Sequence, residues 1–319
     1  MKVLRTILRA LFALAVAAVV VIYAKFWLWR ADITRELATN SVVVQTARGP
    51  IEYADIGTGY PALFLHGTPG GYDQIYAGTK LAIERGQPQL LRIIAPSRPG
   101  YLRTPLSVGA TPEQQADAYK ELLDTLRIDK VVVVGLSGGG PSAVRFVLQY
   151  PESCAALVLE SAVTQRLEDR PAPTGLAGLA GRLSQTELGR WMFTDFFIDS
   201  LQRTNPADTK VRALGEIVMK STYPFAARDA GRINDGEQFS RLSSWPLAQI
   251  ECPTLIVHGT KDTTVPFAQA QFAHEQIAGS QLEAFEGGDH FISITYGTKI
   301  DSLVAQFVAA HVLDATGGQ

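Results

Sequence analysis

Ser137 has the surroundings that most directly predict chemistry in this 319-residue chain. It is the serine of a Gly-x-Ser-x-Gly motif at residues 135–139, which follows the β-branched run 131–134 and precedes a helical pattern. Between a strand and a helix this motif bends the backbone sharply, and side chains at Gly135 and Gly139 would collide with the bend. The hydroxyl would then stand near a helix N-terminus, whose free N–H groups favour a developing anion. We therefore predict a serine nucleophile, since the same residues match neither of the glycine-rich phosphate-loop patterns.

A serine hydroxyl is a weak nucleophile at neutral pH and needs a neighbouring base, which makes the five histidines the candidates. His290 lies in a loop directly after the last predicted strand. Ligands meet at the loops that follow strand ends in open α/β sheets, so His290 is the expected base. The other four are expected to be solvated on helices (His274 and His311), structural at a strand end (His258) or orienting a loop by hydrogen bonding (His66).

The imidazole in turn needs a carboxylate that holds its tautomer and stabilises its charged form. Asp262 follows the buried run 254–257 and is the first choice. Glu160, at the end of the strand before that run, is the alternative. Asp289 is adjacent to the histidine in sequence and is expected to cap its own loop instead.

Short apolar runs alternate with helical patterns along the chain. The first two β-rich runs, 42–46 and 51–56, predict an antiparallel hairpin. Thr111 and Gln114 form a capping box that begins one helix, and a C-terminal helix is predicted over 292–313. The later runs are apolar on both faces and lie at 62–65, 91–95, 131–134, 156–159, 254–257 and 282–285. This alternation predicts an α/β doubly wound sheet that is largely parallel and covered by helices.

Residues 162–245 break this rhythm, because they contain helical, aromatic-rich pieces and no convincing buried strand. We interpret them as a helical insertion over the sheet, with long connecting helices as the alternative. Their aromatic residues would either line an apolar pocket or form the insertion's own core; they are Trp191, Phe193, Phe196, Phe197, Tyr223 and Phe225.

The ordered set of motifs resembles the α/β-hydrolase superfamily over residues 42–319. Besides the serine motif, the resemblance includes His66-Gly67-Thr68-Pro69-Gly70-Gly71 after the third strand and Ser97-Arg98-Pro99-Gly100-Tyr101 after the fourth. It is closest to capped hydrolases that carry an insertion after the sixth strand. The resemblance implies an α/β-hydrolase fold, with a mostly parallel eight-stranded sheet and a helical cap. The apolar N-terminal segment, which lies outside the resemblance, is expected to add a transmembrane helix.

The family order of nucleophile, acid and histidine implies a catalytic triad of Ser137, Asp262 and His290. The resemblance also implies an oxyanion hole formed by Thr68 and Gly138, which would stabilise a tetrahedral intermediate. Residues implied to support the motifs are His66, Gly67, Gly135 and Gly139. No metal and no organic cofactor is expected.

Serine rather than aspartate at the nucleophile position implies a serine hydrolase that cleaves carboxylic esters or related acyl compounds through an acyl-enzyme. The same triad would also serve a proline-iminopeptidase-like aminopeptidase, a C–C bond hydrolase or a cofactor-free haloperoxidase. An aminopeptidase would need acidic cap residues for the substrate amine, and the candidates are Glu168, Asp169, Asp195 and Asp199. The alternative from another class is a catalytically silent, membrane-tethered binding protein.

The first thirty residues differ in character from the rest of the chain. They hold five basic residues and no acidic one, whereas the remainder has 24 bases against 31 acids. Residues 10–29 are almost uninterruptedly apolar, and about 20 such residues suffice for a helix to cross a bilayer. We expect a single-pass anchor with the N-terminus cytoplasmic and the catalytic domain on the outer side. The alternatives are a cleaved signal peptide with secretion, or a buried helix.

We therefore divide the chain into an anchor and linker (1–35), a hydrolase core (36–161 and 246–319) and a helical cap (162–245). A hydrophobic content of 46% excludes a disordered chain, and the net charge of −2 argues against nucleic-acid binding. The expected partners are a small-molecule acyl substrate, for which a lipophilic compound would suit the apolar cap, and the membrane. Cys154 and Cys252 each precede a predicted strand and are expected to be buried thiols, or a disulfide in an oxidising compartment.

Overall fold

The computed structural model describes residues 2–87, 89–167, 175–208 and 210–313. Its centre is one eight-stranded sheet with the strand order β1-β2-β4-β3-β5-β6-β7-β8. The strands are β1 (Val42–Thr46), β2 (Gly49–Gly57), β3 (Tyr60–Leu65), β4 (Leu91–Pro96), β5 (Val131–Leu136), β6 (Cys154–Glu160), β7 (Thr254–Gly259) and β8 (Gln281–Phe285). β1 pairs with β2 and β2 with β4 in antiparallel orientation, and the pairs from β4 to β8 are parallel. The predicted hairpin and the mostly parallel eight-stranded sheet are confirmed.

Helices cover both faces of this sheet. They are α1 (Lys2–Thr39), α2 (Tyr72–Glu84), α3 (Pro112–Thr125), α4 (Gly140–Gln149), α5 (Gly175–Ser184), α6 (Glu187–Thr204), α7 (Val211–Lys220), α8 (Asp229–Arg241), α9 (Ala268–Gln276), α10 (Ile292–Thr295) and α11 (Gly297–Val308). The capping box that Thr111 and Gln114 predicted is present at the start of α3. The predicted C-terminal helix is divided at Tyr296, whose backbone is not helical.

The alternation of side chains in the central strands explains why these runs are apolar throughout. Val131 and Val133 pack with α3, α4 and α9 on one face of the sheet. Val132 and Val134 pack with α2 and α11 on the other. A strand covered on both faces needs apolar side chains at every position, as in other parallel sheets.

Helices α5 to α8 lie between β6 and β7, where the sequence predicts the helical cap. The structure also joins this region to α1. Phe26 and Ile33 are buried with Tyr223 in an aromatic cluster, and the ring centroids of Trp29 and Tyr223 are 4.7 Å apart. The helix α1, which makes these contacts, continues through Thr39. The predicted linker at the end of residues 1–35 is therefore helical.

The two cysteines lie beside each other on neighbouring strands. Cys154 opens β6 and is buried, whereas Cys252 precedes β7 and is only partly buried. Their sulfur atoms are 3.3 Å apart and both are free thiols.

Candidate active site

The turn after β5 places Ser137 at the carboxyl edge of the sheet. Its backbone φ is +50°, in the left-handed region that non-glycine residues rarely adopt. A Cβ at Gly135 would lie 2.7 Å from the Cβ of Ala143, and one at Gly139 would lie 2.3 Å from the carbonyl oxygen of Leu65. The two glycines are therefore required by close packing, as the motif predicts, and the strained serine stands between them.

Three side chains from three loops meet at this turn. The Oγ of Ser137 lies 3.0 Å from Nε2 of His290, and Nδ1 of His290 lies 2.7 Å from Oδ2 of Asp262. Asp262 follows β7 and His290 follows β8, so parallel strand order brings them to the edge where Ser137 stands. With Nδ1–H donated to the carboxylate, Nε2 is left free to accept the proton of the serine hydroxyl.

The Asp262 carboxylate is held in its ionised form by several donors. Its Oδ1 accepts hydrogen bonds of 2.8 Å from the backbone N–H groups of Thr264 and Val265. Burial alone would raise the pKa of Asp262, but contacts with His258 and His290 outweigh burial and hold this pKa well below its ordinary value. A fixed negative charge at this point favours the imidazolium that proton transfer from serine would create.

His258 was expected to be structural, and in the structure it contacts the loop that carries Asp262. Its Nε2 lies 2.9 Å from the carbonyl oxygen of Val265 and 3.2 Å from Oδ2 of Asp262. The ring is buried, and its contacts with Val265 and Asp262 hold the acid loop in place.

The alternatives for the acid occupy other positions. Asp289 accepts a 2.9 Å hydrogen bond from the N–H of Phe291, which is the loop-capping contact predicted for it. Glu160 is buried at the end of β6, and its Oε1 has no hydrogen-bond partner in the part of the chain that the structure describes. Asp262 is thus the carboxylate that the structure places on His290.

The loop after β3 lies against the serine turn. A Cβ at Gly138 would come within 2.2 Å of the Thr68 hydroxyl, so the two residues predicted for the oxyanion hole are direct neighbours. His66 is buried beneath them, and its Nε2 accepts a 2.9 Å hydrogen bond from the N–H of Arg98. Nδ1 must then carry the proton that it donates to the carbonyl oxygen of Gly67 at 2.8 Å. Burial, and next the nearby Arg98 charge, lower the pKa of His66, so the ring stays neutral and orients this loop.

A profile of the alpha/beta hydrolase family matches residues 62–297, a span that includes the serine turn, the acid loop and His290. The chain belongs to this family. It is 31% identical over 268 residues to an uncharacterised hydrolase, YcgS, of Bacillus subtilis (strain 168), and the match covers 76% of this chain and 89% of YcgS. An alpha/beta hydrolase fold protein from Nakamurella multipartita is similar at 30% identity and a TM-score of 0.69, covering 85% of this chain and 99% of the other. An esterase from Exiguobacterium antarcticum is similar at 25% identity and a TM-score of 0.64, covering 83% and 98%.

A buried charge cluster, which sequence reasoning did not find, joins the cap of this hydrolase to the loop after β3. Asp235 on α8 accepts hydrogen bonds from Arg98 at 2.5 and 3.0 Å and from the Tyr101 hydroxyl at 2.5 Å. The same carboxylate accepts the hydroxyl proton of Thr68. The available signal was Arg98 in the second family motif, but its partner lies 137 residues away and no local pattern indicates it.

A second buried pair joins the cap of the hydrolase to α2. Arg228 donates to the carbonyl oxygen of Gly70 at 2.6 Å and to Oδ2 of Asp73 at 2.8 Å. The guanidinium is almost fully buried. Buried arginines with a carboxylate partner fix orientation tightly, since breaking either pair would leave an uncompensated charge.

The hydrolase has a large, mainly apolar cavity of about 1310 Å³ that reaches Ser137 and His290. Three of the six cap aromatics have the predicted pocket role, and the other three join a cluster with α1 rather than a core confined to the insertion. Phe193, Phe196 and Phe197 line the cavity, whereas Trp191, Tyr223 and Phe225 pack against α1.

Of the acidic cap residues proposed for an amine substrate, the two that the structure describes, Asp195 and Asp199, do not line this cavity. Asp195 and Asp199 are exposed on α6 and form ion pairs with Arg212. Glu168 and Asp169 lie outside the described residues. Among the described residues, no group of three or more histidine, cysteine, aspartate and glutamate side chains is arranged to hold a metal ion.

Proposed function

We propose that this hydrolase cleaves carboxylic esters by forming an acyl-enzyme on Ser137. The observation that carries the proposal is the continuous chain of contacts from Ser137 Oγ to His290 to Asp262, at 3.0 and 2.7 Å, inside an apolar cavity. The similarity to the esterase from Exiguobacterium antarcticum gives further support.

The reaction follows from the roles of these groups. Ser137 Oγ attacks the carbonyl carbon of the ester while its proton passes to Nε2 of His290. The bond to the alcohol then breaks, and the alcohol leaves with the proton held by His290. A water molecule attacks the acyl-enzyme and gives a proton to the same nitrogen. The bond between Oγ and the acyl carbon breaks, the carboxylic acid leaves, and the serine regains its proton.

Charge on the carbonyl oxygen must be stabilised in both tetrahedral intermediates. The N–H of Gly138 directly follows the nucleophile, and Thr68 is its neighbour on the opposing loop. Removal of one such donor typically lowers turnover by about 10²–10³-fold. We assign these two residues to the oxyanion hole, with His66, Gly67, Gly135 and Gly139 holding the turn and the loop.

Ser137→Ala tests the proposal. We expect hydrolysis of p-nitrophenyl butyrate to fall by about 10⁴-fold or more, since the nucleophile is removed. A fluorophosphonate probe should label the wild-type chain at residue 137 and leave the variant unlabelled. Ser302→Ala, at an exposed position on α11, is the matched control and should keep wild-type turnover. Equal turnover by Ser137→Ala and the wild type would show that ester cleavage does not use this serine.

We further propose that α1 tethers the hydrolase to a membrane, with the N-terminus cytoplasmic and the catalytic domain on the outer side. The helix over Val3–Thr39 is long and apolar enough to span a bilayer, with a mean hydropathy of 2.5 in its most apolar stretch and none of that stretch buried. An N-terminal signal sequence has the same length and composition. Continuation of α1 into the aromatic cluster with the cap favours a retained helix, because Phe26 and Trp29 would be lost or exposed if the segment were removed.

A further inference from the structure

We infer that this hydrolase binds the unbranched aliphatic acyl chain of its substrate in a channel that crosses one face of the sheet between α2 and α11. The inference rests on the proposed ester hydrolysis and adds the substrate class. The cavity that begins at Ser137 is not confined to the space under the cap. It continues along the strands as far as Leu91, at the amino end of β4.

Two helix faces form the walls of the channel. The first is the face of α2 with Ile75, Gly78, Thr79 and Ala82, whose spacing of three and four residues puts them on one side of the helix. The second is the face of α11 with Ile300, Val304, Ala305 and Val308, which has the same spacing.

The floor of the channel is the sheet itself. Phe64, Ile93 and Val134 from three adjacent strands line it, and Leu136 lines it next to the nucleophile. In a well-packed protein the two flanking helices would fill such a space with side chains, since interiors are packed as densely as organic crystals. We therefore interpret an apolar gap of this size beside a nucleophile as a binding site for an apolar part of the substrate.

The register of the strands gives the length of the channel. Leu91 pairs with Tyr60 and Gly135 pairs with Leu65, so Ser137 stands seven residues along the strand direction from Leu91. At about 3.3 Å per residue this distance is roughly 23 Å. The hydrocarbon core of a bilayer is about 30 Å thick, so one acyl chain of a membrane lipid extends about 15 Å. The channel can hold such a chain at full length.

Polar residues of the lining come from the flanking helices and loops and from the end of β6, and Arg85, Gln87 and Gln89 lie beside Leu91 at the far end of the channel. Glu160 lies level with Leu136 on the adjacent strand, and Lys210 pairs with Asp301 at 3.5 Å. Neither arrangement offers a recognition site along the floor, where methylene groups would lie. The floor formed by the strands is apolar and therefore suits an aliphatic chain.

Gly78→Leu is the variant that tests the channel. Gly78 lines the cavity and an added Cβ there meets no atom within 4 Å, so we expect a leucine at this position to reduce the space of the channel. The position is helical, and replacing glycine in a helix favours folding. Gly236→Leu on α8 is the matched control, because it is also a helical glycine with open space at its Cβ but does not line the cavity.

The full chain in lipid nanodiscs would be assayed with p-nitrophenyl esters from acetate to decanoate. We expect the wild-type kcat/KM to rise with acyl length. Gly78→Leu should lower the ratio of decanoate to acetate kcat/KM by about fourfold for each methylene group displaced, which is the worth of burying one methylene. Gly78→Ala should give a smaller shift in the same direction, and Gly236→Leu should reproduce the wild-type profile.

A second arm uses alkyl acetates of increasing alcohol length, and Gly78→Leu should leave their length profile at the wild-type slope. If the loss appeared with alkyl acetates instead, the channel would hold the alcohol and the inference would be wrong. It would also be wrong if both Gly78 variants kept the wild-type profile while acetate was hydrolysed by Ser137. Absence of any Ser137-dependent ester hydrolysis would instead reject the proposed function together with the channel.

Discussion

At the scale of single residues, the candidate active site has two buried carboxyl groups whose pKa values are shifted in opposite directions. Glu160 is the last residue of β6, and Asp262 follows the adjacent strand β7. Both side chains are buried. The pKa of Asp262 is depressed because two imidazoles and two backbone N–H groups outweigh its burial. Glu160 has no comparable set of donors: burial, and next the nearby Asp301, raise its pKa to about 7. One carboxyl is therefore kept charged beside His290, and the other is neutral over the acidic range.

Glu160 should make the stability of the hydrolase depend on pH. Its pKa is higher in the folded chain than in the unfolded one, so its favourable contribution is complete below about pH 4.5 and is lost as the pH rises through about 7. Glu160→Gln removes this loss, and the variant should gain up to about 3 kcal/mol over the wild type between those pH values. Denaturant unfolding at pH 5 and pH 8 measures the difference.

Glu152→Gln provides the control for this prediction, because Glu152 is exposed and its substitution should give the same small effect at both pH values. A Glu160→Gln variant whose advantage over the wild type did not grow between pH 5 and pH 8 would contradict the raised pKa.

At the scale of elements, the sequence is informative where a local pattern and a backbone constraint coincide. The serine turn could be predicted because Gly135 and Gly139 are required by contacts within a few ångströms of the bend. The acid and base could be placed because they follow the neighbouring strands β7 and β8, whose parallel pairing brings both loops to one edge of the sheet. Residues of the cap gave no such signal, since Asp235 meets Arg98 only through the packing of α8 on the core.

The same limit explains why the channel could not be predicted. Apolar positions on α2 and α11 indicate that these helices face the sheet, but they do not indicate how far apart the two helices stand. The separation depends on the whole arrangement of helices over the sheet. A gap between packed elements is therefore visible only in three dimensions.

Asp235→Asn should show how strongly the cap holds the loop after β3, which contains Thr68. The substitution removes the charge that neutralises the buried Arg98 and weakens the contact to Thr68. We expect unfolding to become easier by about 3–5 kcal/mol, as when one partner of a buried ion pair is lost. Turnover of p-nitrophenyl butyrate by the folded protein should also fall, by up to about 10²-fold, as Thr68 shifts.

Thermal unfolding and kcat of the same samples test this prediction. Asp229→Asn, on the same helix but with an exposed side chain paired with the exposed Arg232, should leave both quantities near their wild-type values. Equal effects of the two substitutions would mean that the buried cluster contributes no more than a surface pair.

At the scale of the whole molecule, α1 determines where the hydrolase stands. Its 38 residues make a helix of about 57 Å, roughly twice the hydrocarbon thickness of a bilayer. The apolar first part projects from the domain, and the second part, from Phe26 onward, packs on the cap. Exposed apolar side chains lie on the nearby cap helices: Leu179, Leu183, Met192, Phe193 and Phe196. The cap is therefore the side of the molecule that would face the lipid.

Membrane extraction tests the tether. The full chain should stay in the membrane fraction after treatment with alkaline carbonate and should be released by detergent, since about 20 buried apolar residues resist extraction. A variant that lacks residues 2–24 should be found in the soluble fraction. Release of the full-length gene product by carbonate, or a mature chain shortened at its N-terminus, would contradict a retained anchor and favour a signal peptide.

The contact between α1 and α6 has a mechanical consequence. Arg30 donates to Glu187 at 2.6 Å, and Phe26 and Trp29 pack on Trp191, close to Phe193 and Phe196, which line the cavity. An outward swing of the cap must therefore either rotate α1 with it or pull these rings apart. If α1 is held in a bilayer as proposed, its tilt and the width of the entrance to the cavity cannot vary independently.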